Sequence, residues 1–206
     1  MKKPIKLNLG CGVYFVKGWI NVDKYLDGAK MRKKGGPYKN AIIERGSKFV
    51  KADICNLPFK ENYADIIECH QTIEHLPMRR IIDFCREVYR VLKPGGKCII
   101  STNNMNDLCL GWLQMSLNRN FNYDVYIDQA EPIYGNQHAY SEGEYHRVPI
   151  TPDFLNYCLS VAGFKNGVLT SYTRGATIPQ VGELIQKTKK KILRNELLVA
   201  EVTKGE

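Results

Sequence analysis

The sequence predicts an α/β fold with one sheet of seven, mostly parallel strands, and two observations support this prediction. Seven short segments are rich in β-branched and aliphatic residues, and helical periodicity separates some of them. The length of 206 residues, with 44% hydrophobic and 25% charged residues, suits one globular domain. We therefore expect a single domain over residues 1–206.

The predicted strands are bounded mostly by polar residues, glycine or proline. In chain order they are Ile5–Leu9, Trp19–Val22, Lys48–Ala52, Tyr63–Cys69, Lys97–Ser101, Gly167–Tyr172 and Leu197–Val202. Between the fourth and fifth strands, apolar residues at helical spacing such as Ile81, Phe84 and Val88 predict an amphipathic crossover helix over Met78–Leu92. This helix should end at Pro94, because proline cannot extend a helix.

A second helix is predicted over Pro152–Ala162. Thr151 is a suitable N-cap, Pro152 suits the first helical position, and Gly163 suits the residue that ends the helix. Before it, residues 103–150 are rich in Asn, Tyr, Gln, Gly and His, with one apolar segment near Leu108–Leu117. A connection of this length in a compact domain usually has a function, so we interpret it as a lid over a substrate.

The charge pattern leaves several kinds of partner open. The formal net charge is +9, and much of it is concentrated in two basic clusters. These are Lys30, Arg32, Lys33 and Lys34, and Lys187, Lys189, Lys190, Lys191 and Arg194. Solvated faces explain such clusters as well as phosphate contacts do. The apolar runs are too short to span a bilayer and no secretory segment is evident, so we expect a cytoplasmic protein.

A glycine pair follows the first predicted strand directly. Gly10 and Gly12 flank Cys11, and glycine lets a backbone turn tightly and approach a ligand closely. The dinucleotide-binding pattern needs a third glycine, but Phe15 stands at that position. It also needs an acid about 20 residues further on, and Asp23 comes earlier. A nicotinamide-dependent dehydrogenase is therefore disfavoured.

Two carboxylates are predicted at the ends of neighbouring strands. Asp23 follows the second strand, where it can accept hydrogen bonds from two ribose hydroxyls. Asp53 follows the third strand, where it can accept from an exocyclic amine such as adenine N6, with Ile54 as an apolar neighbour. Each can also be a solvated turn residue, and the sequence alone leaves that alternative open.

Together these features resemble the class I S-adenosylmethionine-dependent methyltransferase superfamily, most closely its type-11-like branch of small-molecule and saccharide enzymes. The resemblance rests on the glycine loop, the strand Gly18–Asp23, the turn from Ala52 to Phe59, Glu74-His75-Leu76 and the turn Leu92–Gly96. It implies a Rossmann-like three-layer sandwich whose last strand is antiparallel. It also implies S-adenosylmethionine as cofactor.

The resemblance further implies a role for each matching residue. Gly10, Cys11 and Gly12 would pass under the methionine part, and Asp23 would bind the ribose. Asp53 and Ile54 would bind the adenine. His70, at the end of the fourth strand, would lie beside the sulfonium.

Three histidines are candidate catalytic residues, because methylation of a hydroxyl benefits from a base. His75 precedes the crossover helix, and His138 and His146 lie in the predicted lid. A structural role for His75 and solvated positions for the other two are open alternatives. We expect no metal, although His138 and His146 with Glu142 and Glu144 are conceivable ligands by type.

The leading hypothesis is O-methylation of a small molecule or saccharide. Methylation of DNA amino groups is disfavoured, because residues 70–73 read His-Gln-Thr-Ile where those enzymes carry Asp/Asn-Pro-Pro-Tyr/Phe. The absence of a Pro-Cys dipeptide disfavours cytosine C5 methylation. An RNA methyltransferase remains an alternative because of the basic clusters, and so does a cofactor-binding module without turnover. The acceptor and the oligomeric state are left open.

Overall fold

The computed structural model describes residues 3–12, 14–24, 42–117, 130–135, 145–165, 167–172 and 197–205. Its strands are β1 (Lys6–Leu9), β2 (Tyr14–Phe15), β3 (Ile20–Asp23), β4 (Ile42–Ile43), β5 (Lys48–Lys51), β6 (Ala64–His70), β7 (Leu92–Asn103), β8 (Gly167–Tyr172) and β9 (Leu197–Thr203). Its helices are α1 (Arg80–Val91), α2 (Met105–Leu117) and α3 (Pro152–Ala162), with a short 3-10 turn at Ile73–His75.

Seven of these strands form one sheet in the order β5-β3-β1-β6-β7-β9-β8. Neighbouring strands from β5 to β7 are parallel, and β9 is antiparallel to both β7 and β8. The predicted fold, a seven-stranded and mostly parallel sheet with an antiparallel last strand and helices around it, is confirmed. β2 and β4 form a separate two-stranded sheet.

The direction of chain growth in the sheet changes at β1, which is where folds of this kind form a ligand crevice. From β1 the chain builds outward through β3 and β5, then returns to build the other side through β6 and β7. Such a switch point opens a crevice at the carboxyl ends of the strands. Leu9 pairs with Val22 on one side and with Cys69 on the other, so Gly10, Asp23 and His70 follow at the same edge.

The two faces of the sheet differ in polarity. On one face, alternate residues such as Leu7, Leu9 and Ile67 form the main core with α1 and α3. The other face carries Asn8 and Asn21, both buried. Asn8 Nδ2 donates to Asn21 Oδ1 at 2.9 Å, and Asn21 Nδ2 donates to the Lys48 carbonyl at 2.8 Å. These bonds offset the loss of hydration that burial of the amides entails.

The predicted helices are present, and one strand is much longer than predicted. α3 has the predicted bounds: Thr151 Oγ1 accepts from the Phe154 N–H at 3.3 Å, and Gly163 ends the helix with φ +111°. α1 starts at Arg80 rather than Met78, after the turn that Pro77 begins. The fifth predicted strand, Lys97–Ser101, lies within the longer β7 (Leu92–Asn103), which is interrupted before Lys97: Gly95 has φ +73°, and the pairing with β6 shifts register there.

The interval interpreted as a lid is described only in part. It begins with α2, of whose residues Leu108 is buried while Leu110, Leu113 and Leu117 are exposed. Residues 118–129 and 136–144 lie outside the described residues, and so do both basic clusters, at 30–34 and 187–194. Among the helices described, none has the length and apolar character that crossing a bilayer requires.

Candidate active site

The glycine loop adopts a conformation that only glycine accepts readily. Gly10 has φ +62° and Gly12 has φ +47°. A Cβ on Gly10 would overlap the side chain of Thr72, whose own Cβ would lie only 2.7 Å away. A Cβ on Gly12 would meet no atom of the described residues within 4 Å. The backbone of Gly12 therefore faces open space that a ligand can enter.

Asp23 lies directly beside this loop. Its Oδ2 accepts a hydrogen bond from the Gly12 N–H at 3.1 Å, and the Cys11 N–H donates to the Val22 carbonyl at 3.0 Å. Burial raises the pKa of the Cys11 thiol, and the nearby Asp23 charge raises it further. With a buried, protonated side chain, Cys11 has only its backbone to offer a ligand.

Asp53 lies at the same edge, two residues after β5, and its carboxylate already has hydrogen-bond and ion-pair partners. Its Oδ1 accepts from the Cys55 N–H at 2.9 Å, and its Oδ2 lies 3.0 Å from Lys24 Nζ and 3.4 Å from Arg80 Nη2. Burial alone would raise the pKa of Asp53, but the hydrogen bonds from Cys55 and Lys24 and the charge of Arg80 lower it overall. The neighbouring Ile54 packs its side chain into the core.

His70 ends β6 and is held by both ring nitrogens. Its Nε2 lies 2.8 Å from Glu68 Oε2, and its Nδ1 lies 2.8 Å from Ser101 Oγ. Glu68 and Ser101 are both buried. These two contacts fix the orientation of the imidazole at the carboxyl end of β6.

Two further residues at this edge have structural features that the sequence reasoning did not single out. Gln71 has φ +48°, and its Nε2 is buried without a hydrogen-bond partner among the described residues. Thr72 Oγ1 lies 3.2 Å from the Gly10 carbonyl and 2.9 Å from the His70 carbonyl. Residues in rare backbone conformations cluster at functional sites. The sequence alone gives no indication that Gln71 adopts a left-handed backbone conformation.

The structure brings two of the three candidate catalytic histidines together. The rings of His75 and His146 meet edge to face with centroids 4.9 Å apart. His75 Nδ1 lies 3.1 Å from the Tyr145 carbonyl, and His146 Nδ1 lies 2.8 Å from the Pro132 carbonyl. Since a carbonyl only accepts, both Nδ1 atoms carry the hydrogen. His138 lies outside the described residues, as do Glu142 and Glu144.

Glu74 adjoins this pair and was missed as a site residue. Glu74 is only 2% exposed, although it is the middle residue of the short 3-10 turn Ile73–His75. Burial raises the pKa of its carboxyl, and the neighbouring His75 opposes this effect. Burial also lowers the pKa of His146, to about 4, with His75 adding to the effect, so that imidazole is neutral at neutral pH.

Comparison with known proteins finds a domain family that matches part of this chain. The model of a methyltransferase domain matches residues 7–100. Demethylmenaquinone methyltransferase of Staphylococcus carnosus (strain TM300) is 28% identical over 148 residues, which are 68% of this chain and 57% of that protein. The chain thus spans little more than half the length of the curated relatives it matches.

Solved structures share the fold over almost the whole chain. A SAM-dependent methyltransferase from Archaeoglobus fulgidus aligns with a TM-score of 0.57 at 16% identity, covering 98% of this chain and 86% of the other. Human N-acetylserotonin methyltransferase, solved in complex with SAM, aligns with a TM-score of 0.55 at 15% identity, covering 98% and 48%. Residues 7–100 thus match a methyltransferase domain, and the described sheet has the fold of SAM-dependent methyltransferases of known structure.

Proposed function

We propose that this protein transfers the methyl group of S-adenosylmethionine to a hydroxyl group of a small molecule or saccharide. The name of the curated relatives, demethylmenaquinone methyltransferase, supports a small-molecule acceptor. The observation that carries the choice of a hydroxyl is the contact between His75 and His146. A hydroxyl must lose a proton on methylation, and this pair offers a base for it.

The crevice at the carboxyl edge of β1 fits the cofactor. Open space above Gly12 suits the methionine part, and the Asp23 carboxylate beside it suits the ribose hydroxyls. Next to Gly10, the fixed ring of His70 would border the sulfonium. Asp53 fits the adenine amine less readily, because its carboxylate already pairs with Lys24 and Arg80. Ile54 would contribute through its backbone.

The cofactor supplies a methyl group already activated on a positively charged sulfur. The acceptor oxygen bonds to the methyl carbon as the carbon–sulfur bond breaks, and the electron pair of that bond stays on the sulfur. The protein's own tasks are to align the two reactants and to exclude water. The hydroxyl proton passes to an Nε2 of the histidine pair, which carries a lone pair because Nδ1 carries the hydrogen. The sequence-based candidate His138 remains part of this proposal.

The proposal is tested by measuring S-adenosylhomocysteine formed with a panel of hydroxylated small molecules and saccharides. With an accepted substrate, His75→Asn should lower kcat by about 10²- to 10⁴-fold, the usual contribution of a general base. Cofactor affinity, measured by calorimetry, should stay unchanged in this variant. Asp153→Asn, at an exposed position in the first turn of α3, is the matched control and should behave as wild type.

Product methylated on nitrogen or carbon would overturn the proposal, and turnover that both His75→Asn and His146→Asn leave unchanged would exclude the histidine pair as the base. Cofactor binding without S-adenosylhomocysteine formation across the panel would favour the non-catalytic module. For an RNA acceptor, no described residue provides a specific observation, since both basic clusters lie outside the described part of the chain. That alternative requires RNA affinity that falls steeply with added salt.

A further inference from the structure

Three side chains with metal-binding atoms converge on one point beside the proposed acceptor site. Glu74 and His75 come from the 3-10 turn after β6, and His146 comes from the segment that precedes α3. One potential ligand atom of each lies within 4.8 Å of those of the other two. The chemistry of the set is two imidazole nitrogens and one carboxylate oxygen, which suits a divalent transition metal.

Hydrogen bonds orient both histidines as metal ligands are oriented. His75 Nδ1 donates to the Tyr145 carbonyl at 3.1 Å, and His146 Nδ1 donates to the Pro132 carbonyl at 2.8 Å. A metal-binding histidine commonly donates one ring N–H to a carbonyl in this way, which fixes the tautomer and the ring. Each Nε2 therefore presents a lone pair.

Glu74 provides an independent sign of a missing cation. It is 2% exposed, yet neither of its carboxylate oxygens has a hydrogen-bond partner among the described residues. A buried carboxylate without a partner is strongly unfavourable, so such a group either takes up a proton or is compensated by a counter-charge or a metal.

We propose that Glu74, His75 and His146 bind one divalent transition-metal ion, with Zn²⁺ as the best fit. Ligand atoms around tetrahedral zinc lie roughly 3.3 Å apart, given bonds of about 2.0–2.1 Å. Small side-chain rotations would close the observed cluster to that spacing. Three protein ligands leave a fourth position for water or another oxygen ligand. The inference goes beyond the proposed function, since binding of the ion requires neither cofactor nor acceptor.

The metal ion would join two segments that are distant in sequence. Tyr145, whose carbonyl orients His75, lies 70 positions after it. The two segments already touch through a hydrogen bond from the Arg147 N–H to the Glu74 carbonyl at 2.7 Å. An ion bound by side chains on both sides would fix residues 145–147 against the turn after β6.

Zinc calorimetry on the full chain, without a histidine tag and freed of metal by a chelator, tests the proposal. We expect one Zn²⁺ per chain, and at least 100-fold weaker binding in Glu74→Gln and in His146→Gln. Glu201→Gln is the matched control: this glutamate is partly exposed, pairs with Lys97 at 2.6 Å and should leave binding unchanged. Circular dichroism of each variant checks that it is folded, and His75→Gln serves as a third ligand variant.

Cobalt substitution identifies the ligands. Co²⁺ in this site should give a visible absorption spectrum of tetrahedral or five-coordinate nitrogen and oxygen ligation, lost in Glu74→Gln. Absence of Zn²⁺ and Co²⁺ binding at millimolar metal would overturn the proposal. So would unchanged binding in folded Glu74→Gln and His146→Gln, or a thiolate-to-cobalt band, which would assign the metal to cysteines such as the exposed Cys109.

Discussion

Thr72 packs directly against Gly10. Its Oγ1 lies 3.2 Å from the Gly10 carbonyl, and its side chain fills the space that a Cβ on Gly10 would need. The contact ties the turn after β6 to the loop after β1. Gly10 is thus required by the protein's own packing, as well as by any ligand.

Gly10→Ala should destabilise the protein by about 2–4 kcal/mol, because it combines a left-handed alanine with a steric overlap. Gly12→Ala is the matched control, since it has a similar positive φ but open space, and should lose only about 1–2 kcal/mol. Urea unfolding measures both. In a double-mutant cycle with Thr72→Gly, we expect a coupling free energy of about 0.5–3 kcal/mol. Additive effects would contradict the packing argument.

Asp23→Asn should weaken S-adenosylhomocysteine binding more than Asp53→Asn. Asp23 Oδ2 accepts the Gly12 N–H directly beside the glycine loop, whereas Asp53 Oδ2 already lies within ion-pair distance of Lys24 and Arg80. Loss of one charge-assisted hydrogen bond, about 1.4 kcal/mol or more, corresponds to at least tenfold in affinity. For Asp53→Asn we expect less than about threefold. Calorimetry with the deoxyribose analogue of S-adenosylhomocysteine is the control, because Asp23→Asn should weaken binding of this analogue less. An equal loss of affinity for both ligands would argue against ribose binding by Asp23.

The effect of Glu74→Gln on stability should change sign when zinc is added. Without metal, the neutral glutamine avoids the cost of either burying a charged carboxylate or protonating it, so the variant should be at least as stable as wild type. With zinc at about 100 times its Kd, wild type should gain about 2.7 kcal/mol and the variant should not. Thermal unfolding of both proteins with and without zinc measures this change of sign. A variant that is less stable under both conditions would contradict the expectation.

Zinc should inhibit methyl transfer if both proposals hold. The ion would occupy the Nε2 lone pairs that removal of the hydroxyl proton requires, so the metal-bound form and the form with a free base exclude each other. Rate should fall as zinc is added and recover with a chelator. Mg²⁺, which prefers oxygen ligands, is the control ion. Rates that rise with zinc would show that the histidines do not act as the base.

The Glu87–Arg90 pair should make stability fall at acidic pH. Glu87 Oε2 accepts from Arg90 Nε at 2.8 Å, and its Oε1 also accepts from the Leu57 N–H at 2.6 Å. Hydrogen bonding to Arg90 lowers the pKa of Glu87, although partial burial opposes it. The folded state therefore binds this proton less readily than the unfolded state. The stabilisation of the folded state by ionised Glu87 is therefore fully present above the ordinary glutamate pKa and is lost as the pH falls through the lowered pKa of Glu87.

Glu87→Gln should cost about 1 kcal/mol at pH 7, a magnitude limited by partial solvent exposure. The difference from wild type should shrink as pH falls, because protonation neutralises the wild-type side chain. Urea unfolding across the acidic range measures it, with Glu201→Gln as the exposed-pair control. A difference that is constant with pH would exclude the linkage.

The sequence predicted the fold well where local chemistry decides the structure. Caps at Thr151 and Gly163 set both ends of α3, and the apolar stripe set α1. Periodicity was less informative at β7, because the strand assignment includes a Pro-Gly-Gly segment that turns locally: Gly95 has φ +73°, and the pairing with β6 shifts register there. The apolar segment around Leu108–Leu117 was noted, but its helix was not predicted.

The candidate site was predictable only in its local parts. Strand ends put Gly10, Asp23 and His70 at one edge, since a parallel sheet collects them there. The meeting of His75 with His146 depends on tertiary contacts across the fold, which spacing in one sequence does not reveal. The burial of Glu74 was equally hidden, because a glutamate in a polar turn is normally solvated.

The position of β9 has a consequence for folding during synthesis. β8 reaches the rest of the described sheet only through β9, which pairs with β7 on its other side. On a ribosome, β1 to β7 can assemble while the chain is still growing, but the β8 edge has to wait until Leu197–Thr203 have emerged. Until then Gly167–Tyr172 is a strand without its neighbour, and this interval is when the nascent chain is most exposed to mispairing.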